Sequence, residues 1–469
     1  MAQTLIRNAL LLTLDPRLGD LACGDLLVED GRIEAVTPSA IVAPHAEVVE
    51  AAGHIVMPGF VNAHVHLWEF PLRGIGADWI SHRDYHGHVH RNLALRFEAT
   101  DVEVANLMGA LNQINGGTTT VLDWCHVLRD AEMADAALDG LAATGLRAVF
   151  ARGTSKPPPD ASGQTPPYWE TRYPREEIAR LRRGRLGDDR GRITLAMATL
   201  GPDLATWQVA LDEVRLAREH GLLHSAHTWG RAGRRRVEDG YRRLAREGLL
   251  GPDHNIAHGN GLDDEELAML VDHGVSFTAT CMAEMLNSER IAVPGRVRAA
   301  GGLPSLGTDV CTYFNSSMLA ELRRAFLMQR EADNRALAAA CAWPSAAHAT
   351  CTRDALTWAT LGGAKALRLD HRIGTLTPGK EADLIMIDTR SMNVFPALPG
   401  ADPCHAVALY AEPADVTAVM VGGQWLKRDG RLAFDAARLA AMAARLASTR
   451  EALFARAGLD AQRACGAAQ

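Results

Sequence analysis

Apolar and polar positions change rhythm twice along the chain. At the start, TLIRNALLLTL (4–14), LLVE (26–29) and RIEAV (32–36) are short apolar or alternating runs separated by Asp-Pro and Asp-Gly. That pattern predicts strands joined by turns. Beyond Met57-Pro58-Gly59, up to about residue 373, strand-like runs alternate with helical periodicities such as DVEVANLMGALNQI (101–114) and WQVALDEVRLAREH (207–220). Eight strand candidates fall there: 60–67, 117–124, 146–152, 193–200, 222–228, 254–259, 275–280 and 303–308. Eight β-then-α units predict an α/β fold, a closed parallel (β/α)8 TIM-type barrel with insertions. A doubly wound open sheet is the alternative, but it would usually carry a glycine-rich phosphate turn after its first strand, and this chain has none.

After the barrel, GTLTPGKEADLIMIDTRS (374–391) and VTAVMVGGQWLKRDGRLA (416–433) return to the texture of the N-terminus. Segments 1–58 and 374–433 are therefore expected to build one small β-sandwich domain beside the barrel of 59–373, with 434–469 as a C-terminal helix and tail. One long insertion, GTSKPPPDASGQTPPYWETRYPR (153–175), follows the third strand, and its prolines oppose regular structure. At the C-terminal end of a barrel strand it is either a lid over the site or a passive surface loop.

Charge and composition narrow the partners. Lys and Arg total 49 against 56 Asp and Glu, a formal charge of −7, so there is no global electrostatic footprint for nucleic acid or an anionic membrane. The longest apolar runs are far short of the ~20 residues a membrane helix needs, and no signal-peptide pattern opens the chain. The eight cysteines, at 23, 125, 281, 311, 341, 351, 404 and 465, form no CxxC pair. They read as free thiols in a reducing cytoplasm. A small molecule is the expected partner, and homo-oligomerisation is left open.

The chemistry sits in the histidines. His64 and His66 are two apart on the first strand, so both point to one face and can share a cation. His227 lies late in the fifth strand candidate, His258 late in the sixth, and Asp309 just after the eighth. A barrel brings those strand ends around one mouth. Together they suit an N3O metal shell with one histidine beside it: zinc first, with iron, cobalt or manganese as alternatives.

At these residues the chain resembles the amidohydrolase superfamily, in its mononuclear-metal deaminase and chlorohydrolase branch, which includes guanine, cytosine and S-adenosylhomocysteine deaminases and triazine hydrolases. The resemblance runs through DLLVEDGRIEAV (25–36), VMPGFVNAHVH (56–66), LRGIGAD (72–78), GGTTTVLD (116–123), IAHGNGLDDEEL (256–267), SLGTDV (305–310), IGTLTPGKEADLIMID (373–388) and VMVGGQWLKRDG (419–430). It implies a single divalent metal held by His64, His66, His227 and Asp309, with a water whose pKa the metal lowers, so that hydroxide attacks. It also implies Asp309 as the base for that water and His258 as a hydrogen-bonding group for the water or developing oxyanion. Binuclear relatives use a fourth-strand lysine; here that strand reads ITLAMATLGP (193–202), without one.

One departure stands out. Aromatic deaminases of this branch place a ring-protonating glutamate three residues after the fifth-strand histidine, where this chain has Gly230. Glu69, Glu284 and His126 are the candidate replacement acids, Glu69 foremost, and Trp68, Glu69, His126, Trp229 and Glu284 are the candidate substrate contacts. His82, His86, His88 and His90 fall in a loop near the mouth, as a second metal site, substrate contacts or surface residues. The runs RLRRGR (180–185) and RAGRRR (231–236) read as solvated faces, although Arg231 or Arg234 could meet an acidic substrate group. The expected activity is metal-dependent hydrolysis of a non-peptide C–N bond, or a related C–X bond, in a small N-heterocyclic substrate. The alternatives are an amide or cyclic-amide hydrolase, a lyase or isomerase on the same scaffold, and a silent binding protein.

Overall fold

A computed structural model describes residues 3–79, 82–288, 293–345, 349–396 and 400–459. The first five strands are β1 (Gln3–Leu11), β2 (Leu21–Glu29), β3 (Arg32–Thr37), β4 (Glu47–Glu50) and β5 (His54–Pro58). The barrel strands follow: β6 (Phe60–Val65), β7 (Thr118–Cys125), β8 (Arg147–Gly153), β9 (Ile193–Thr199), β10 (Leu223–Thr228), β11 (His254–His258), β12 (Ser276–Ala279) and β13 (Ser305–Leu306). Each overlaps one of the eight predicted runs. Their neighbours pair in parallel and in chain order. Every residue of β7 and β8 is buried, as expected for strands covered on both faces.

The barrel closes between its first and last strands. A parallel bridge joins Val65 to Asp309. The Asp309 amide donates to the His64 carbonyl at 2.9 Å and the His66 amide to the Asp309 carbonyl at 3.1 Å. Gly307 permits this approach, because a Cβ there would stand 2.7 Å from both Cβ and O of His64. The seam that shuts the barrel is thus also the place where three predicted metal ligands meet.

Both chain ends build the second sheet, completed by β14 (Leu384–Asp388), β15 (Val416–Val421), β16 (Gln424–Arg428) and β17 (Arg431–Leu432). The expected two-layer β-domain is, in hydrogen-bonding terms, one mixed nine-stranded ladder, ordered β17-β16-β15-β14-β5-β1-β2-β3 with β4 beside β1. N- and C-terminal segments join where β5 runs antiparallel to β14, from Leu384 opposite Pro58 to Asp388 opposite His54. Its own apolar core includes Ile6, Leu26, Val56, Leu384 and Met420.

The C-terminal helix Ala436–Arg456 packs along the helix Ala99–Asn115, and its Arg450 donates to the carbonyls of Pro71 and Arg73, both at 2.9 Å. That contact ties the chain terminus to the loop behind the first barrel strand. No described helix is long and apolar enough to cross a membrane, and the seven described cysteines are unbridged.

Candidate active site

Period-two alternation puts Asn62 and His64 of β6, and His66 just after its end, on one face. His64 Nε2 lies 3.2 Å and His66 Nε2 3.3 Å from Asp309 Oδ1. His227, one residue before the end of β10, brings its Nε2 to 3.1 Å from His64 Nε2. One donor atom from each of these four residues falls within 4.8 Å of the others. Burial, with lesser contributions from neighbouring imidazoles, pushes His227 well below the ordinary histidine range. Burial likewise holds His64 down, to about 4, against the pull of Asp309. Both imidazoles are therefore held neutral, the form in which histidine ligates a metal. Burial acts to raise Asp309, but hydrogen bonds from His64 and His66 outweigh it and keep the carboxylate well below its usual range.

This donor set fits a divalent metal. Two neutral imidazoles direct Nε2 atoms at one another across 3.1 Å, beside an ionised carboxylate, in a buried pocket. The His66 ring is oriented from behind by its Nδ1, which donates to the Trp124 carbonyl at 2.6 Å and leaves Nε2 as the ligand atom. Asn62 fixes the carboxylate strand, accepting from the Thr308 amide at 3.0 Å and donating to its hydroxyl at 2.7 Å. The sequence reading passed over Asn62, although its place two residues before His64 carried the signal.

His258, at the end of β11, stands beside this group, 5.8 Å from the His64 ring and 5.5 Å from the His227 ring. Its backbone has φ +75°, and that of Asp309 φ +55°. Non-glycine residues in this region mark strain held in place by the surrounding fold, here at the strand ends that carry the site. His258 Nδ1 meets the Thr280 hydroxyl at 3.0 Å, and Trp229 stacks on its ring at 4.2 Å. Glu284 lies behind it, fully buried, taking the Thr280 amide at 2.8 Å and the Asn260 side chain at 3.1 Å.

A cavity of about 1050 Å³ opens over these residues. Its wall includes His66, His227, His258 and Asp309 and, among the predicted contacts, His126 and Trp229, but not Trp68, Glu69 or Glu284. Trp68 is buried behind His126, donating its indole N–H to His126 Nδ1 at 3.3 Å. Glu69 is fully buried; one oxygen accepts from the Tyr85 hydroxyl, the other has no partner, and burial pushes the carboxyl up to about 7. The proline-rich insertion does reach the cavity, with Lys156, Pro157, Pro159, Thr165, Pro166, Pro167, Tyr168 and Trp169 in its wall. Of the histidine cluster, His86 and His90 line the cavity, whereas His88 is exposed and stacks on Trp79 at 5.4 Å. The His82 side chain lies outside the described residues.

Gly230 is more than a missing acid. Its φ is +69°, and a Cβ there would stand 2.5 Å from the Leu262 backbone nitrogen. The turns after β10 and β11 are pressed together, with the Gly261 amide donating to the Trp229 carbonyl at 2.7 Å. The Gly230 amide instead donates to Asp203 Oδ2 at 2.8 Å. Asp203 follows β9 and lines the cavity, and burial pushes its carboxyl up to about 6 against the Arg235 guanidinium beside it. The arginines after β10 are mostly committed: Arg231 to the Asn287 carbonyl, Arg235 to Glu266 at 2.9 Å, and Arg236 over the Trp169 ring at 3.6 Å.

Three histidines and an aspartate gathered at the C-terminal mouth of a (β/α)8 barrel define a metal-dependent barrel enzyme. The amidohydrolase family model matches residues 55–426, and the chain belongs to that family. It is 28% identical to a 5'-deoxyadenosine deaminase of Methanosarcina barkeri over 449 residues, covering 92% of this chain and 94% of the relative. It is 29% identical to a 5-methylthioadenosine/S-adenosylhomocysteine deaminase of Symbiobacterium thermophilum over 434 residues, covering 87% and 89%. Among solved structures, a zinc-bound adenosine deaminase from Xanthomonas campestris superposes with a TM-score of 0.80 at 24% identity, covering 97% of this chain and 99% of that one. The zinc complex of atrazine chlorohydrolase TrzN from Arthrobacter aurescens TC1 gives 0.80 at 21% identity, covering 95% and 100%.

Proposed function

We propose that this protein hydrolyses a C–N bond, or a related C–X bond, at an electrophilic carbon of a small N-heterocycle, with zinc held by His64, His66, His227 and Asp309. The observation that carries this reading is the convergence of those four donors within 4.8 Å beside a cavity whose wall includes His66, His227 and Asp309, with His258 alongside. His64, His66, His227 and Asp309 would hold the metal, which would supply a water of lowered pKa for the attack. Asp309 accepts the water's proton, its carboxylate being held ionised. His258, oriented by Thr280 and backed by Trp229, donates to the oxygen that gains charge.

The leaving group also needs a proton. Gly230 cannot supply one, and Glu69 lies behind the cavity wall. Asp203 is in the wall beside the Gly230 turn, with one oxygen on that amide and a carboxyl that burial pushes up to about 6. It takes the acid's role in this reading, with the buried Glu69 acting on His66 only through its charge.

A second reading has its own support. Hydrolysis of an amide or cyclic amide needs no ring-nitrogen acid, and the closed Gly230 turn suits it equally. The zinc-loaded protein should be assayed for ammonia or halide release on aminated and halogenated heterocycles, and for ring opening on cyclic amides. Release of ammonia or halide is the expected result, ring opening alone moves the assignment to the second reading, and no turnover on any class contradicts both.

A further inference from the structure

The chain carries a net charge of −7, yet seven basic side chains line the active-site cavity, at Arg83, Arg91, Lys156, Arg231, Arg234, Arg235 and Arg236. Among the described residues only two acids share that wall, and both are committed: Asp309 to His64 and His66, Asp203 to the Gly230 amide and Arg235. Most of the basic side chains after β10 are committed too. The part of the wall that the insertion and the turn after His90 supply differs. Lys156, from the proline-rich insertion, and Arg91, after the π-helical turn His86–His90, have no carboxylate partner among the described residues.

Tautomers follow from the donors on this wall. The Trp68 indole can only donate, so His126 accepts at Nδ1 and carries its proton on Nε2. That proton points at His90 Nε2, 3.3 Å away, which leaves His90 protonated on Nδ1. The Lys156 ammonium likewise can only donate, and it does so to His86 Nδ1 at 2.7 Å. Burial is the main cause holding His90 and His126 well below the usual histidine range, and Lys156 adds to it in both. Burial and Arg91 together push the Lys156 ammonium down to about 7. Among the described residues no carboxylate pairs with Lys156 or Arg91, and Lys156 lies over the Tyr168 ring at 5.5 Å.

A path leads from the metal ligands to that wall. Ring-to-ring steps of 4.6, 4.6 and 5.3 Å run from His66 through His126 and His90 to His86, which Lys156 caps. We propose that Lys156 and Arg91 form a subsite for an oxyanionic group, a carboxylate or a phosphate ester, carried by the substrate some three ring-steps from its reacting carbon. The subsite deepens the hydrolytic reading above and rests on it for the word substrate. The heterocycle meets the metal ligands, and an anionic tail reaches under the proline-rich insertion.

Calorimetric titration of the zinc-loaded protein with inorganic phosphate, and separately with acetate, tests this directly. The anion that binds more tightly distinguishes a phosphate ester from a carboxylate. Lys156→Met should weaken that anion at least tenfold and Lys156→Arg less than threefold, while His227→Asn, which removes a metal ligand, should leave it within threefold. Unchanged affinity in Lys156→Met, no binding of either anion, or binding lost in His227→Asn and kept in Lys156→Met would each overturn the proposal. Because the titration needs no turnover, failure of the subsite shows here, and failure of the hydrolytic reading shows in the substrate panel.

Discussion

At Gly230 a side chain would meet the Leu262 backbone nitrogen at 2.5 Å, on a chain already at φ +69°. Gly230→Ala should cost about 1–3 kcal/mol from strain alone, read as a lower midpoint in urea, and Gly230→Glu should create no deaminase activity. The acid's position makes a second residue-scale prediction. With the Asp203 carboxyl raised to about 6, its protonated fraction falls as pH rises through that value. Turnover should decline above pH 6, and Asp203→Asn should remove that limb; a limb that survives would return the acid to Glu69. Asn62→Ala, which frees the chain before Asp309, should weaken metal affinity roughly 10–100-fold, measured by competition with a chelator. The ligand set was legible in the sequence because strand-end histidines and an aspartate recur in barrel order. Lys156 and Asp203 were not, since their environment depends on which loops fold over the mouth.

Strands β10 and β11 carry a second histidine pair at their other ends. His224 and His254 face each other through Nδ1 atoms 2.8 Å apart, and both Nε2 atoms are buried without a partner. Burial pushes His224 down to about 3 and His254 well below its usual range. The unfolded chain takes up these protons below about 6.5, whereas the folded chain refuses them. Stability contributed by the pair is thus complete above about pH 6.5 and is lost as pH falls toward 3, at about 1.4 kcal/mol per pH unit for each imidazole. His254→Gln should flatten the fall of Tm between pH 6.5 and 4.5; an unchanged slope would assign the acid sensitivity elsewhere. At this scale the sequence was informative wherever burial on both faces produced an apolar run, as in β7 and β8. It was silent on β4, whose residues EVVE are mostly exposed and which exists through parallel pairing with β1.

The two sheets are joined by a buried ion cluster. Arg147, at the start of β8, reaches Asp383 at 2.7 Å and Glu381 at 2.5 Å, ahead of β14, and is 2% exposed. Removing one partner of a buried pair strands the other charge, so Arg147→Ala should destabilise the whole molecule by about 3–5 kcal/mol, read by urea unfolding. The texture of the two chain ends announced a shared β-domain, but a contact spanning 236 residues of sequence leaves no local mark. The same holds for the barrel seam, where Gly307 and Asp309 lie against β6 only because the eighth strand returns to the first. That seam supports the central claim, a metal centre built by barrel closure. Metal content after equilibration with zinc and removal of the excess tests it most directly. The account predicts about one ion per chain in the unaltered protein and a large loss in His227→Asn and Asp309→Asn, both still folded; an unaltered protein that takes up no metal would contradict it.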